Sequence, residues 1–193
     1  MDRKGETRSK IMRRATLAIC IALLLTMGLA CSSDRVEDTE GGVILSVTDF
    51  DGLPVQVSVN GNNILQMDSV QIQSFPKNAN APSSTLMDVE MRSYEVVYER
   101  VDGGVNNPAP MVRSIFGLVP VGGTTTYDNL VIMTASQLRN QPLSDLLIEN
   151  GGVDRETNSQ AITVNFRMRF FGRTIAGDDV ATAPIRFDVE FVP

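Results

Sequence analysis
Ile162-Thr-Val-Asn-Phe-Arg-Met-Arg-Phe-Phe171 and Ile185-Arg-Phe-Asp-Val-Glu-Phe-Val192 decide the fold. In the first run Ile162, Val164, Phe166, Met168 and Phe170 alternate with polar residues. In the second, Ile185, Phe187, Val189 and Phe191 do the same. Alternation with a period of two is the mark of a strand with one face on a core and the other in water. The two runs predict a β-hairpin. Ala176-Gly177-Asp178-Asp179 between them supplies residues that tolerate the positive φ of a tight turn. A turn centred on Gly177 and Asp178 sets Phe170 opposite Ile185, Met168 opposite Phe187, Phe166 opposite Val189 and Val164 opposite Phe191. Every apolar residue then meets an apolar partner. On the wet face the same register sets Arg167 against Asp188 and Arg169 against Arg186.

Upstream, further strands are separated by turn signals. Val43–Val47 is the first. Asp49-Phe50-Asp51-Gly52 reads as a turn, and Val55, Val57 and Val59 as a half-buried strand ended by Asn60-Gly61. Ile64–Phe75 resumes as strand up to Pro76. Leu86–Val101 is the longest strand-like stretch. Val89 and Met91 set one phase and Tyr94, Val96 and Tyr98 the other, so a bulge is expected near Arg92–Ser93. Val112–Val121 and Tyr127–Thr134 follow. Thr134 with Gln137 fits a capping box, Leu138, Leu143, Leu146 and Leu147 form an apolar stripe, and Asn150-Gly151-Gly152 is a stop. Pro142 is expected to begin a second short turn. The stripe is expected to plug one open end of the fold.

These elements predict an all-β protein: an antiparallel β-sandwich of seven or eight strands with one short helix near 135–149. The segment Tyr94-Glu-Val-Val-Tyr-Glu-Arg100 resembles a central strand of immunoglobulin-like or fibronectin-III-like domains. The resemblance implies an immunoglobulin-like sandwich.

The 193 residues divide unevenly in charge. Residues 1–30 hold six Lys+Arg and two Asp+Glu, which leaves 11 basic and 21 acidic side chains beyond, a formal charge of −10. A body so acidic is a poor ligand for nucleic acid and is repelled by anionic lipid. There is no His and no Trp, and both cysteines, Cys20 and Cys31, lie at or before residue 31. The body therefore has no disulfide, thiol nucleophile or imidazole, and a Ser-His-Asp triad is excluded.

The N-terminus is a basic head, Met1–Arg14, followed by an apolar run, Ala15–Ala30. That is short for a spanning helix, and it describes a secretory signal peptide. Met27-Gly-Leu-Ala30-Cys31, followed by Ser32-Ser33, resembles the lipobox of bacterial lipoproteins. The resemblance covers residues 1–33. It implies cleavage between Ala30 and Cys31 and lipidation of Cys31, so that the protein is held in the cell envelope by an N-terminal lipid. Gly28 departs from the pattern, standing where the family usually carries Leu. Ser32 rather than Asp after the cysteine resembles outer-membrane sorting in enteric bacteria. An ordinary cleaved signal and an uncleaved anchor are the alternatives. The chain thus divides into a signal peptide (1–30), a lipidated cysteine and acidic tether (31–42), and a sandwich domain (43–193). The tether, with five charges between Ser32 and Gly42, is too polar to bury a core.

Chemistry is hard to place. Lys77 is the only lysine after the leader, which disfavours a Ser–Lys mechanism. Paired carboxylates occur at Asp49 and Asp51, at Asp154 and Glu156, and at Asp178 and Asp179. Loop oxygens of this kind suit Ca²⁺, which makes Asp49, Asp51, Asp178 and Asp179 candidate ligands. Their spacing matches no known calcium loop, and turn-forming Asp is the plainer explanation for all three pairs. Tyr94, Tyr98, Tyr127 and Phe116 are the residues available to stack a sugar, although aromatic residues in strands are usually core.

The expectation is a non-enzymatic module without a cofactor. It reaches the membrane through its lipid, binds another envelope protein through an exposed apolar surface, and does not bind nucleic acid. The alternative is a small-ligand or glycan binder using loops 76–85, 103–110 and 172–181, with or without calcium.

Overall fold
The computed structural model describes residues 42–61, 64–80 and 82–193. The leader, Ala30, Cys31 and the tether up to residue 41 lie outside the described residues. Two sheets pack face to face. One has the order β1 (Val43–Asp51), β3 (Leu65–Pro76), β6 (Thr124–Met133). The other has the order β2 (Gln56–Ser58), β9 (Ile185–Val192), β7 (Ile162–Thr174), β4 (Val89–Arg100), β5 (Met111–Val119), with β8 (Asp179–Ala181) also paired to β7. The protein is an all-β sandwich. Nine strands stand among the described residues rather than seven or eight: the strand read at Val55–Val59 is present as the three-residue β2, and β8, also three residues, is the one added within the segment read as turn. One pairing departs from antiparallel order: β2 runs parallel to β9.

Inward side chains from both sheets share one core. Val43, Leu45, Met67, Val70, Ile72 and Ile132 meet Val89, Val96, Phe166, Met168, Phe170 and Phe191, all essentially solvent-free. Asp49 to Asp51 do not turn the chain but prolong β1, and the turn waits for Gly52 at φ +78°. The bulge in β4 is present: register shifts between Met91 and Ser93 against both neighbours. Two hydroxyls tie the sheets together. Tyr94 donates to the Val131 carbonyl at 2.8 Å and Tyr98 to the Ile132 carbonyl at 2.6 Å, both from β4 to β6.

The hairpin forms, but its register is two residues from the expected one. Met168 faces Ile185, Phe166 faces Phe187, Val164 faces Val189 and Ile162 faces Phe191. The turn centres on Ala176 instead of Gly177–Asp178. Thr174 N–H donates to the Asp178 carbonyl at 2.8 Å, and Gly177, at φ +105°, donates to the Thr174 carbonyl at 2.9 Å. β8 follows in that register. It ends where the Thr182 hydroxyl, not a carbonyl, accepts the Phe170 N–H at 3.1 Å. Ala183-Pro184 then adds a residue before β9 begins. On the wet face Asn165 donates to Asp188 at 2.7 Å, while Arg167 faces Arg186, so the expected Arg167–Asp188 and Arg169–Arg186 pairs do not occur. Arg169 instead donates to the Thr182 carbonyl at 3.0 Å.

The predicted helix is a single turn, α1 (Ala135–Leu138), followed by 3-10 turns at Leu143–Leu146 and Ile148–Asn150. The capping box closes as read: Gln137 N–H donates to the Thr134 hydroxyl at 3.3 Å and Thr134 N–H to the Gln137 side chain at 2.9 Å. The four leucines of the stripe are buried. Together they close the end of the sandwich where β4, β6 and β9 finish.

Candidate functional site
The sheets order the loops into two groups. Gly42, residues 77–80 and 82–88, residues 120–123 and the 175–178 turn gather at the end where the chain enters the domain. Lys77 N–H donates to the Gly42 carbonyl at 2.9 Å, Gly122 N–H to the Ser74 carbonyl at 2.9 Å, and Ala176 N–H to the Leu86 carbonyl at 2.9 Å. Residues 52–61, 64, 101–110 and 134–161 lie at the far end. Of the three loops named as candidate binding loops, the described residues of 76–85 and 172–181 share an end, and 103–110 is on the other.

The far end is organised by a residue that pattern reading passes over. Arg100 closes β4 on the inward face, in phase with Tyr94, Val96 and Tyr98. Its side chain is solvent-free, as is that of Asp154. All five guanidinium N–H groups have acceptors. Nη2 donates to Asp154 at 2.7 Å and Asp102 at 2.8 Å, Nε to Asp102 at 2.9 Å, and Nη1 to Glu156 at 3.2 Å and Asp154 at 3.4 Å. Glu156 also accepts the backbone N–H of Val105 at 2.8 Å and of Asn106 at 3.2 Å, and the Asn106 side-chain amide. Thr157 donates to Asp154 through N–H at 3.0 Å and hydroxyl at 2.6 Å. Loops 101–110 and 151–161 are thereby fixed to one buried cation. Gly104 is required there, since a Cβ would collide with the guanidinium.

The electrostatics follow from this geometry. Burial pushes the Asp154 carboxyl up, but hydrogen bonds from Arg100 and Thr157 outweigh it and bring the pKa down to about 2. Asp102 feels the same contest, burial against Arg100 and the Gly104 N–H, and is also lowered. Burial disfavours the charge on Arg100, yet its bonds to Asp102 and Asp154 hold it more firmly protonated than a free arginine. Burial also raises Tyr98, against the hydrogen bond from Gln137, and raises Tyr127 to about 12. The network is a brace.

The carboxylates weighed for calcium separate into distinct places. Asp49 and Asp51 lie on β1, with Asp51 accepting the Gly52 N–H at 2.6 Å. Asp178 and Asp179 lie at the β7–β8 turn, at the entry end. There Asp178 N–H donates to the Thr174 hydroxyl at 2.9 Å, and Asp179 pairs with Arg173 at 3.1 Å. Among the described residues no group of three or more Asp, Glu, His or Cys is arranged to hold a metal ion. Of the aromatic residues considered for stacking, Tyr94, Tyr98 and Tyr127 are core. Phe116 is not: it stands on the edge strand β5 with 86 % of its surface in solvent.

Open grooves among the described residues include two. One, of about 460 Å³, is lined by Gln56, Ser58, Ile64 and Gln66 at the far end. The other, of about 640 Å³, lies between Glu90, Arg92, Phe116, Leu118 and Ile175. No helix among the described residues is long and apolar enough to cross a membrane.

No protein-family model and no curated protein matches the chain. Solved structures with some likeness include a protein from Archaeoglobus fulgidus, at 12% identity and a TM-score of 0.36 over 78% of this chain and 94% of that one. A protein from Arabidopsis thaliana matches at 14% and 0.34 over 77% and 80%. A late embryogenesis abundant protein matches at 12% and 0.33 over 94% and 87%. Overlaps of this extent assign neither family nor activity.

Proposed function
We propose that this chain is an exported envelope lipoprotein, anchored through Cys31 at the outer membrane, whose sandwich is a non-enzymatic module that binds another envelope protein. The observation that carries the reading is the braced far end. Arg100, Asp102, Asp154 and Glu156 hold loop 101–110 rigid, and that loop presents Val105 with 82 % of its surface exposed. Val101 and Ile148 are exposed at the same end. Pre-organised loops bind at lower entropic cost than mobile ones. The chain enters the domain at Gly42, at the opposite end, so these loops are not at the point of attachment. A photo-crosslinking residue at Val105 or Ile148, activated in cells, is expected to give one discrete adduct. The same residue at Glu95, on the outer face of the second sheet, is expected to give none. Absence of an adduct at Val105 and Ile148 contradicts the reading.

A second reading, a small-ligand or glycan binder, finds support in the polar side of the Gln56–Gln66 groove. Binding of a soluble glycan that shifts the resonances of Ser58 and Gln66 would favour it.

A further inference from the structure
The apolar surface at the entry end has no place in that account. Leu86, Ile175, Leu118 and Phe116 are all exposed. Leu118, Phe116 and Ile175 line one groove, and Ala176, next to Ile175, donates its N–H to the Leu86 carbonyl. Isolated exposed apolar residues need no explanation, but a contiguous set does. Its position supplies one. The chain enters the domain at Gly42, where an added Cβ would lie 3.2 Å from the Met87 methyl, beside Leu86. From Cys31 to Gly42 there are 11 peptide steps, which span at most roughly 40 Å when fully extended.

We propose that this surface rests on the bilayer that carries the anchor, with Leu86, Ile175, Leu118 and Phe116 entering its interfacial zone. The inference rests on the lipoprotein reading and adds to it a second, apolar membrane contact. A short tether keeps the domain at high effective concentration over the membrane, so a small apolar area suffices to hold it there. Charge selects the kind of surface. Glu90 and Arg92 at the groove cancel, Arg173 is paired with Asp179, and Asp178 and Asp88 outnumber Lys77, on a body of net negative charge. The favoured surface is zwitterionic, and anionic lipid opposes the contact.

The body beyond Cys31 contains no cysteine, so a single new thiol can carry an environment-sensitive dye in the mature, lipidated chain. Phe116→Cys, Leu86→Cys and, as a far-end control, Val105→Cys are labelled in the full-length protein reconstituted into phosphatidylcholine vesicles, with and without lipid-borne quencher. The expected result is a blue shift and quenching at Leu86 and Phe116, none at Val105, and a decline of both signals as anionic lipid is added. Dyes at Leu86 and Phe116 that stay as water-exposed as the one at Val105, on lipidated protein that floats with the vesicles, overturn the inference and leave the anchor intact. A blue shift that follows protein density and ignores the lipid quencher assigns the surface to a second copy and also overturns it. Protein without lipid at Cys31 that fails to float defeats the anchor and the inference together.

Discussion
Arg100 Nη2 lies 2.7 Å from Asp154 Oδ2, with neither side chain exposed to solvent, at the point where the central strand β4 hands over to the far-end loops. One cation there holds three carboxylates, two of which arrive from a loop more than 50 residues away in sequence. A buried charge that loses its partner is expensive, whereas a pair replaced together by apolar groups can be nearly neutral. Arg100→Met is therefore expected to lower stability by about 3–5 kcal/mol, read from urea unfolding. The double change Arg100→Met with Asp154→Leu is expected to cost less than the sum of the single changes. Strict additivity contradicts a coupled pair.

Acid should find the same network. The Asp154 carboxyl is held at about 2 against an ordinary value of 3.8. A lowered carboxyl contributes stability that is fully present above its unfolded value and is lost as pH falls toward its folded one. For Asp154 the contribution at neutral pH is roughly 2 kcal/mol, and it disappears between pH 3.8 and about 2. Asp102, lowered as well, steepens the loss. Denaturant midpoints measured across this window should fall sharply in the wild type and more gently in Asp154→Asn.

Tyr98 and Tyr94 join the two sheets through their hydroxyls, a role beyond core filling. Tyr98→Phe keeps the ring, including its 5.0 Å edge contact with Phe166, but leaves the Ile132 carbonyl without its donor. The expected loss is about 1–3 kcal/mol. Amide exchange at β6 should speed up relative to β7, and uniform change across both sheets would argue that the hydroxyl is not a specific tie.

The hairpin register gives a stabilising variant. Arg167 and Arg186 are directly opposite and both exposed. Arg186→Glu converts a like-charge pair into an attractive one and is expected to raise stability by about 0.2–1 kcal/mol at low salt, fading as salt is added. In the register expected from sequence Arg186 would face Arg169, so Arg167→Glu separates the two: it should rescue stability only if Arg167 is the residue opposite.

That register also shows what pattern can and cannot decide. Alternation placed Ile162, Val164, Phe166, Met168 and Phe170 on the core face, which is correct. A slip of two residues keeps every side chain on its own face, so the pattern could not distinguish Phe187 from Val189 as the partner of Phe166. The choice was made by the turn, which centres on Ala176 and moves the pairing by three, and by the extra residue at Ala183-Pro184, which returns it by one and restores the faces. The bulge at Arg92–Ser93 and the Thr134 capping box were legible because each is a local signal. Arg100 was visible only as a charge at an inward position, since its partners Asp154 and Glu156 come from a distant loop that reads as turn-forming. Phe116 was hidden by the general tendency of strand aromatics to be core, because edge position depends on strand order, which local alternation does not encode.

Cys31 is the residue on which both the anchor and the membrane contact depend. Intact mass and membrane fractionation of the wild type beside Cys31→Ala test it directly. A wild-type chain that begins at Cys31, carries acyl mass and sediments with membranes, while Cys31→Ala does neither, is the predicted result. A wild-type chain that is soluble, unacylated and still bears residues before Cys31 would contradict the anchor and the membrane contact built upon it.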